Sequence, residues 1–233
     1  IRAMSTMGSV ASISLSGNMI SGSQNVGKRN AEYDLDLSSI IAFGKAAAVS
    51  KTLASIDLSD CGISSKGIAE VARFMSAGTS IASLTLDSNG IFGELWVGGG
   101  VKEADKFVSE VQPFLDALKT SSITSLSLRG TGMGVKGVAA VADAMSTMAS
   151  ISKIALSGNG LTGGKPLFNH QTRAYDIQTD GKDISSVSAL FSSMTQVAEL
   201  DVSNCGLGPT ATAELAKAVS SAGASIARIS VLS

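Results

Sequence analysis

His170 is the only histidine of the chain, so any Ser-His-Asp or Cys-His arrangement has to centre on it, and no recognisable nucleophile motif lies nearby. Cys61 and Cys205 are far apart and have no neighbouring cysteine or histidine, which leaves metal binding and a disulfide without support from spacing. The string GNGLTG, Gly158 to Gly163, satisfies G-x-G-x-x-G literally. A long insert follows it, however, where a dinucleotide site requires a helix at once. GMGVKG, starting at Gly132, lacks the order of a phosphate loop. Asp36, Asp105 and Asp183 recur on one rim and could suggest calcium, but successive copies stand two strand spacings apart, roughly 9–10 Å. Each lies near the start of a following helix and reads better as a cap that accepts hydrogen bonds from first-turn amides. The expectation is a non-enzymatic chain with no catalytic residue, no metal site and no cofactor.

The strongest pattern is internal repetition. Copies of one phrase begin at Ser12 (SISLSGNMI), Ser55 (SIDLSDCGI), Ser83 (SLTLDSNGI), Ser125 (SLSLRGTGM), Lys153 (KIALSGNGL) and Glu199 (ELDVSNCGL), with a partial seventh from Ile226. The apolar residues that open them, Val10, Leu53, Ile81, Ile123, Ile151, Val197 and Ile226, are separated by 43, 28, 42, 28, 46 and 29 residues. A long unit therefore alternates with a short one, and the translational repeat is a pair. The polar residue that ends each phrase alternates in step: Asn18, Cys61, Asn89, Thr131, Asn159, Cys205.

Each part of a unit has a physical reading. Leu84 and Leu86, at alternate positions, describe a short strand with one buried face. Ile68, Val71, Ala72 and Met75 fall on one helical face, as do Val138, Val141, Ala142 and Met145, and Leu215, Ala218 and Val219. Strand then helix, repeated, predicts a right-handed α/β solenoid with a parallel sheet inside and helices outside, each unit burying its apolar face on its neighbours. The chain must turn at the end of each strand while still buried, and unpaired buried amides and carbonyls cost on the order of 1–3 kcal/mol each. An asparagine side chain can donate and accept there at once; cysteine or threonine does so less completely.

At these residues the chain resembles the leucine-rich repeat family, in particular the ribonuclease-inhibitor-like class, whose alternating asparagine and cysteine ladder matches the one here. The long units look like those of protist families in which every second repeat carries an inserted segment. The resemblance implies a horseshoe, α/β, with the parallel sheet on the concave face and helices on the convex face, and it implies recognition of protein partners.

Composition agrees. With 44% hydrophobic and 16% charged residues and a formal net charge of -1, the chain can bury a continuous core and has no electrostatic reason to seek nucleic acid or an anionic membrane. No apolar run approaches the roughly 20 residues that span a bilayer. An intracellular location, in cytoplasm or an organelle interior, is expected, with no direct membrane insertion. Residues 1–233 read as one solenoid segment of about six repeats plus a partial seventh. Neither end has the atypical capping repeat that closes a solenoid, so a longer chain, or an assembly that covers the ends, is expected.

The inserts run from about Ser21 to Asp36, Phe92 to Asp105 and Thr162 to Asp183, on the same rim at alternate steps. They share a template in which Asn18, Asn89 and Asn159 precede Asp34, Asp105 and Asp176 by 16, 16 and 17 residues. Insertions repeated on one face of a solenoid often mark its binding face. The scarce large side chains collect there: Tyr33, Phe92, Trp96, Phe168, His170 and Tyr175, with Lys28, Arg29 and Arg173. They either contact a partner, as Trp, Tyr and Arg do at interface hot spots, or fold back and pack one insert on the next. The expected concave positions, among them Ser14, Asp57, Thr85, Asp87, Arg129, Lys153, Glu199 and Asp201, are bland by comparison. The functional expectation is a recognition or scaffold module, one form of which is a fixed subunit of a large complex. The alternatives are a regulator of an enzyme, of the inhibitor or GTPase-activating type, and a sensor array within a signalling chain.

Overall fold

A computed structural model describes residues 10–77, 80–96, 100–164, 183–221 and 226–231, together with the backbone of 166–169 and 174–177. The repeated phrases form the strands β1 (Ser12–Ser14), β2 (Ser55–Asp57), β3 (Ser83–Thr85), β6 (Ser125–Ser127), β7 (Lys153–Ala155), β10 (Glu199–Asp201) and β11 (Arg228–Ser230). The inserts supply β4 (Glu94–Leu95), β5 (Val101–Glu103), β8 (Pro166–Asn169) and β9 (Ala174–Ile177). The seven strands of the main sheet are parallel and lie in sequence order. Their central residues Ile13, Ile56, Leu84, Leu126, Ile154, Leu200 and Ile229 form one file. The fold is a leucine-rich-repeat solenoid.

The helices α1 (Ser38–Val49), α2 (Ser65–Ser76), α3 (Gln112–Lys119), α4 (Val135–Met145), α5 (Ser185–Ser193) and α6 (Pro209–Ser221) stack side by side on the other face. The core lies between. In the second unit Ile56 and Leu58 from the strand meet Ile68, Val71, Ala72 and Met75 from α2, all buried. The fourth unit repeats this with Leu126, Leu128, Val138, Val141, Ala142 and Met145. A strand of three residues suffices because every copy pairs on both sides except at the sheet edges.

The bend after each strand sets the spacing. Asn89 is fully buried, and its Oδ1 accepts from the amides of Cys61 and Ile63, each at 3.0 Å, in the preceding short unit. Its Nδ2 donates to Leu58 O at 2.8 Å in that unit and to Leu86 O at 3.0 Å in its own. Asn159 repeats the set: Oδ1 accepts from the Thr131 and Met133 amides at 3.0 and 3.1 Å, and Nδ2 donates to Leu128 O and Leu156 O at 2.8 and 2.9 Å. Both halves of the carboxamide are in use, and the second and third long units thereby grip the short units before them.

The short units reach back more weakly. Cys61 Sγ donates toward Leu15 O at 3.1 Å, and Cys205 Sγ toward Leu156 O at 3.2 Å. Burial pushes the Cys61 thiol up to about 11 and the Cys205 thiol up to about 12, so both stay protonated and act as donors at neutral pH. Thr131 Oγ1 donates to Leu128 O, 3.0 Å away in its own unit. Asn18 is exposed, and among the described residues its Nδ2 bonds Leu15 O and Ser16 O of its own unit alone.

Asn89→Ala strips two amides and two carbonyls of their partner inside the core. Urea denaturation is expected to show a loss of roughly 1–3 kcal/mol, whereas Asn18→Ala, at an exposed site, changes stability by less than about 0.5 kcal/mol. Equal effects at the two positions would contradict this reading of the bends.

Candidate functional site

All three inserts are antiparallel hairpins on one rim of the solenoid. The first is closed by a single bridge, in which Gln24 and Glu32 exchange backbone hydrogen bonds of 2.8 and 3.0 Å. The second is β4 on β5, and the third is β8 on β9 with Phe168 opposite Tyr175. Their roots press onto the next short unit. A Cβ at Gly93 would lie 2.2 Å from Glu103 O and 2.7 Å from Gly132 O, so only glycine lets the hairpin close against that backbone. Ser21 and Ser23 hydroxyls donate to Gly62 O at 2.8 and 2.6 Å, and the Thr162 hydroxyl to Gly206 O at 3.0 Å.

The aspartate that ends the hairpin completes this stitch. Asp34 Oδ1 accepts from Ser64 N at 3.1 Å, and its Oδ2 from Lys66 N and Gly67 N at 3.0 and 2.9 Å. Asp105 makes the same set with Gly134, Lys136 and Gly137 amides at 2.7, 2.8 and 2.9 Å. Both aspartates have left-handed backbone, φ 55° and 58°, a conformation that Asp adopts more readily than most residues. They cap α2 and α4, the helices of the following short units. This corrects the expectation for Asp105, which does not cap α3 of its own unit: α3 starts beyond a turn, with Val111 at its N-cap and no side-chain bond there. Asp36 and Asp183 do stand ahead of their own helices, accepting from Ser38 N at 2.9 Å and Ser185 N at 3.0 Å.

A sequence signal for this stitch exists but is easily passed over. A Cβ at Gly67 would sit 2.8 Å from Asp34 Oδ1, and one at Gly137 2.9 Å from Asp105 Oδ1. The Lys-Gly pairs Lys66-Gly67 and Lys136-Gly137 are thus the imprint of a carboxylate arriving from the preceding insert. The third short unit has Thr210-Ala211 in that place.

The aromatic candidates divide. Phe92 is fully buried at the hairpin root and belongs to the core, the packing alternative of the two left open for the insert aromatics. Tyr33 leaves its own insert and packs edge-on to Phe107, just past the second, ring centroids 6.2 Å apart. Its hydroxyl is buried without a hydrogen bond of ordinary geometry, near the Gly27 and Leu95 backbone, and burial raises its pKa. Trp96 stays 38% exposed beyond β4, its amide donating to Gly100 O at 2.6 Å and Lys102 Nζ lying 5.4 Å from the ring centroid. Glu94 anchors that lysine at 2.8 Å. Burial would raise the Glu94 carboxyl, but the bonds from Lys102 and Lys106 outweigh it and hold it below its ordinary value. Lys28 and Arg29 are exposed on the first hairpin. His170 and Arg173, and the side chains of Phe168 and Tyr175, lie outside the described residues.

The concave sheet carries more charge structure than its composition suggested. Asp87 Oδ1 accepts from Ser127 Oγ at 2.6 Å, and Arg129 spans from Asp87 at 3.3 Å to Asp201 at 3.0 Å, across the intervening β7. Lys153 pairs with Glu199 at 2.7 Å. For Asp201 burial raises the pKa, but bonds from the Ser203 hydroxyl and amide and from Arg129 prevail, leaving it lowered. These cations and carboxylates neutralise one another within the chain. Among the described residues, no group of three or more His, Cys, Asp or Glu is placed to hold a metal ion, and no helix is long and apolar enough to cross a membrane.

Residues 49–72, the end of α1 through most of α2, match a leucine rich repeat family. The match falls on one short unit, and together with the seven-stranded parallel sheet it supports a leucine-rich repeat protein. Such repeats are typically non-enzymatic modules for protein–protein interaction. No match is found among curated proteins.

Asp105→Ala removes three acceptor bonds from the first turn of α4 and is expected to cost about 1–2 kcal/mol. Hydrogen exchange should quicken at the Gly134, Lys136 and Gly137 amides while Leu115 and its neighbours in α3 keep their protection. Loss of protection in α3 instead would return Asp105 to the role of a cap within its own unit.

Proposed function

We propose that the chain is a protein-recognition module that holds its partner on the hairpin-bearing rim, with Trp96 at the centre of the contact, as a fixed subunit of a larger assembly. The observation that carries this reading is the state of Trp96. It is a large aromatic ring, over a third exposed, held in place by a backbone bond on one side and a glutamate-anchored lysine on the other. Rings fixed before binding lose little conformational entropy on contact, which is why they dominate interface energies. Lys28 and Arg29 stand exposed on the neighbouring hairpin and would add a polar border; Phe168, His170, Arg173 and Tyr175 are the candidates from the third.

The concave sheet is the weaker candidate surface. An enzyme regulator of the inhibitor type would aim charged side chains from that sheet into a partner's active site. Arg129 is committed to two carboxylates and Lys153 to a third. The class of fold and the match at residues 49–72 support protein partners in general; the rim, the subunit role and an intracellular site are this proposal's own.

The test is affinity capture from the native source with the wild-type chain and with Trp96→Ala. The expected result is at least a tenfold loss of the co-purifying protein with a melting temperature unchanged within about 2 °C, since a partly exposed ring contributes little to folding. Intact capture with a large loss of stability would assign Trp96 to packing.

A further inference from the structure

Neighbouring helices meet in grooves along the convex face, and polar side chains bridge two of the grooves that join a long unit to the short unit after it. Lys119 of α3 pairs with Asp143 of α4 at 2.8 Å, and the Ser188 hydroxyl of α5 donates to Glu214 of α6 at 3.2 Å. Between α1 and α2, both wholly within the described residues, no ion pair or side-chain hydrogen bond crosses. Arg73 stands in α2 where α4 has Asp143, and it turns along its own helix to Glu70. The floor of this groove is apolar instead. Ile41, Gly44 and Ala48 fall at i, i+3 and i+7, one face of α1. A Cβ at Gly44 would lie 2.9 Å from Phe74 Cδ1, so the glycine lets that ring in, and Phe74 is fixed edge-on to Phe43 with centroids 6.0 Å apart. The open volume above is about 310 Å³, at the small end of the roughly 300–1,000 Å³ common for binding pockets. Ile41 remains 36% exposed on its wall.

We propose that this groove is a docking site for an amphipathic helix of a partner protein, one that carries carboxylates beside its apolar stripe. The site is separate from the hairpin rim and does not rest on it. Charge supplies the argument for the occupant. The lip of the groove holds Lys45, Arg73 and Glu70, and Arg73 neutralises Glu70. Lys45 is left exposed, and among the described residues it makes no ion pair. In the groove between α3 and α4 the chain itself gives Lys119 its carboxylate; here an acidic partner would give one to Lys45. Charges at such a border select the partner, while the apolar floor holds it. Length supports a helix. Ile41 to Ala48 spans two turns, roughly 10 Å, which suits two successive apolar anchors of a helix laid in a groove. Phe74 is already fixed by Phe43, so the floor loses little freedom when the groove fills.

The probe is the peptide acetyl-Glu-Glu-Leu-Ala-Glu-Leu-Leu-Glu-Ala-Leu-Glu-amide, titrated into the folded chain and followed by the Gly44 and Ala48 amide resonances. Its control has lysine in place of every glutamate. Saturable shifts are expected with the acidic peptide, and binding of the basic one should be weaker by about tenfold or more. Lys45→Glu should reverse that preference. Ile41→Asp, at a partly exposed site, should weaken the acidic peptide about tenfold or more, and Ala48→Glu provides the same test if the first variant impairs folding. Unmoved Gly44 and Ala48 resonances, equal binding of the two peptides, or binding undiminished in the folded groove variants would overturn the proposal. So would shifts at Gly44 and Ala48 that appear when the protein alone is concentrated, which would assign the groove to a second copy of the chain.

Discussion

A chain that turns sharply after every strand, while still inside the stack, must pair the amides and carbonyls that the sheet no longer serves. In this solenoid the second long unit carries that burden in both directions. Asn89 reaches back to Cys61, Ile63 and Leu58 of the short unit before it, and Asp105 of the same long unit reaches forward to Gly134, Lys136 and Gly137 of the short unit after it. Short units contribute a thiol or a hydroxyl with one proton to give. The alternation of long and short is therefore a division of work: one kind of unit holds, and the other is held.

That division explains why the inserts are shaped as they are. Each of the first two hairpins has to deliver an aspartate with left-handed backbone to a helix N-terminus about thirty residues ahead, and its root has to touch a glycine of the next unit, Gly62 or Gly132. The far ends of the hairpins are free of those duties. They carry Trp96, Lys28 and Arg29 into solvent on supports that are already tied down, a preorganised arrangement suited to binding. Stitching and display are thus two ends of one structure, and the concave sheet, with Arg129 spanning Asp87 and Asp201, is left internally balanced.

Much of the fold is legible in the sequence because the repeat is local: the same apolar file and the same bend residue recur in every copy, so Ile56, Leu84 and Leu126 could be aligned with nothing but spacing. The contacts that escape such reading join residues far apart in the chain. Asp105 looks like a cap for the helix that follows it in sequence, yet its partners are 29 to 32 residues on; only the paired glycines at 67 and 137 record the carboxylate. Phe92 looks like its aromatic neighbours until the hairpin root is seen to bury it. Arg129 and Asp201 are 72 residues apart, and nothing in composition joins them. Of the candidate rim, Tyr33 turns inward to Phe107 while Trp96 remains outward.

Native-state hydrogen exchange on the Asn89→Ala variant examines the central claim most directly. If long units grip the short units before them, protection falls selectively at the Cys61 and Ile63 amides, one unit upstream of the substitution, while the Thr131 and Met133 amides, held by Asn159, keep theirs. Protection unchanged at Cys61 and Ile63, or lost evenly along the array, would contradict the account.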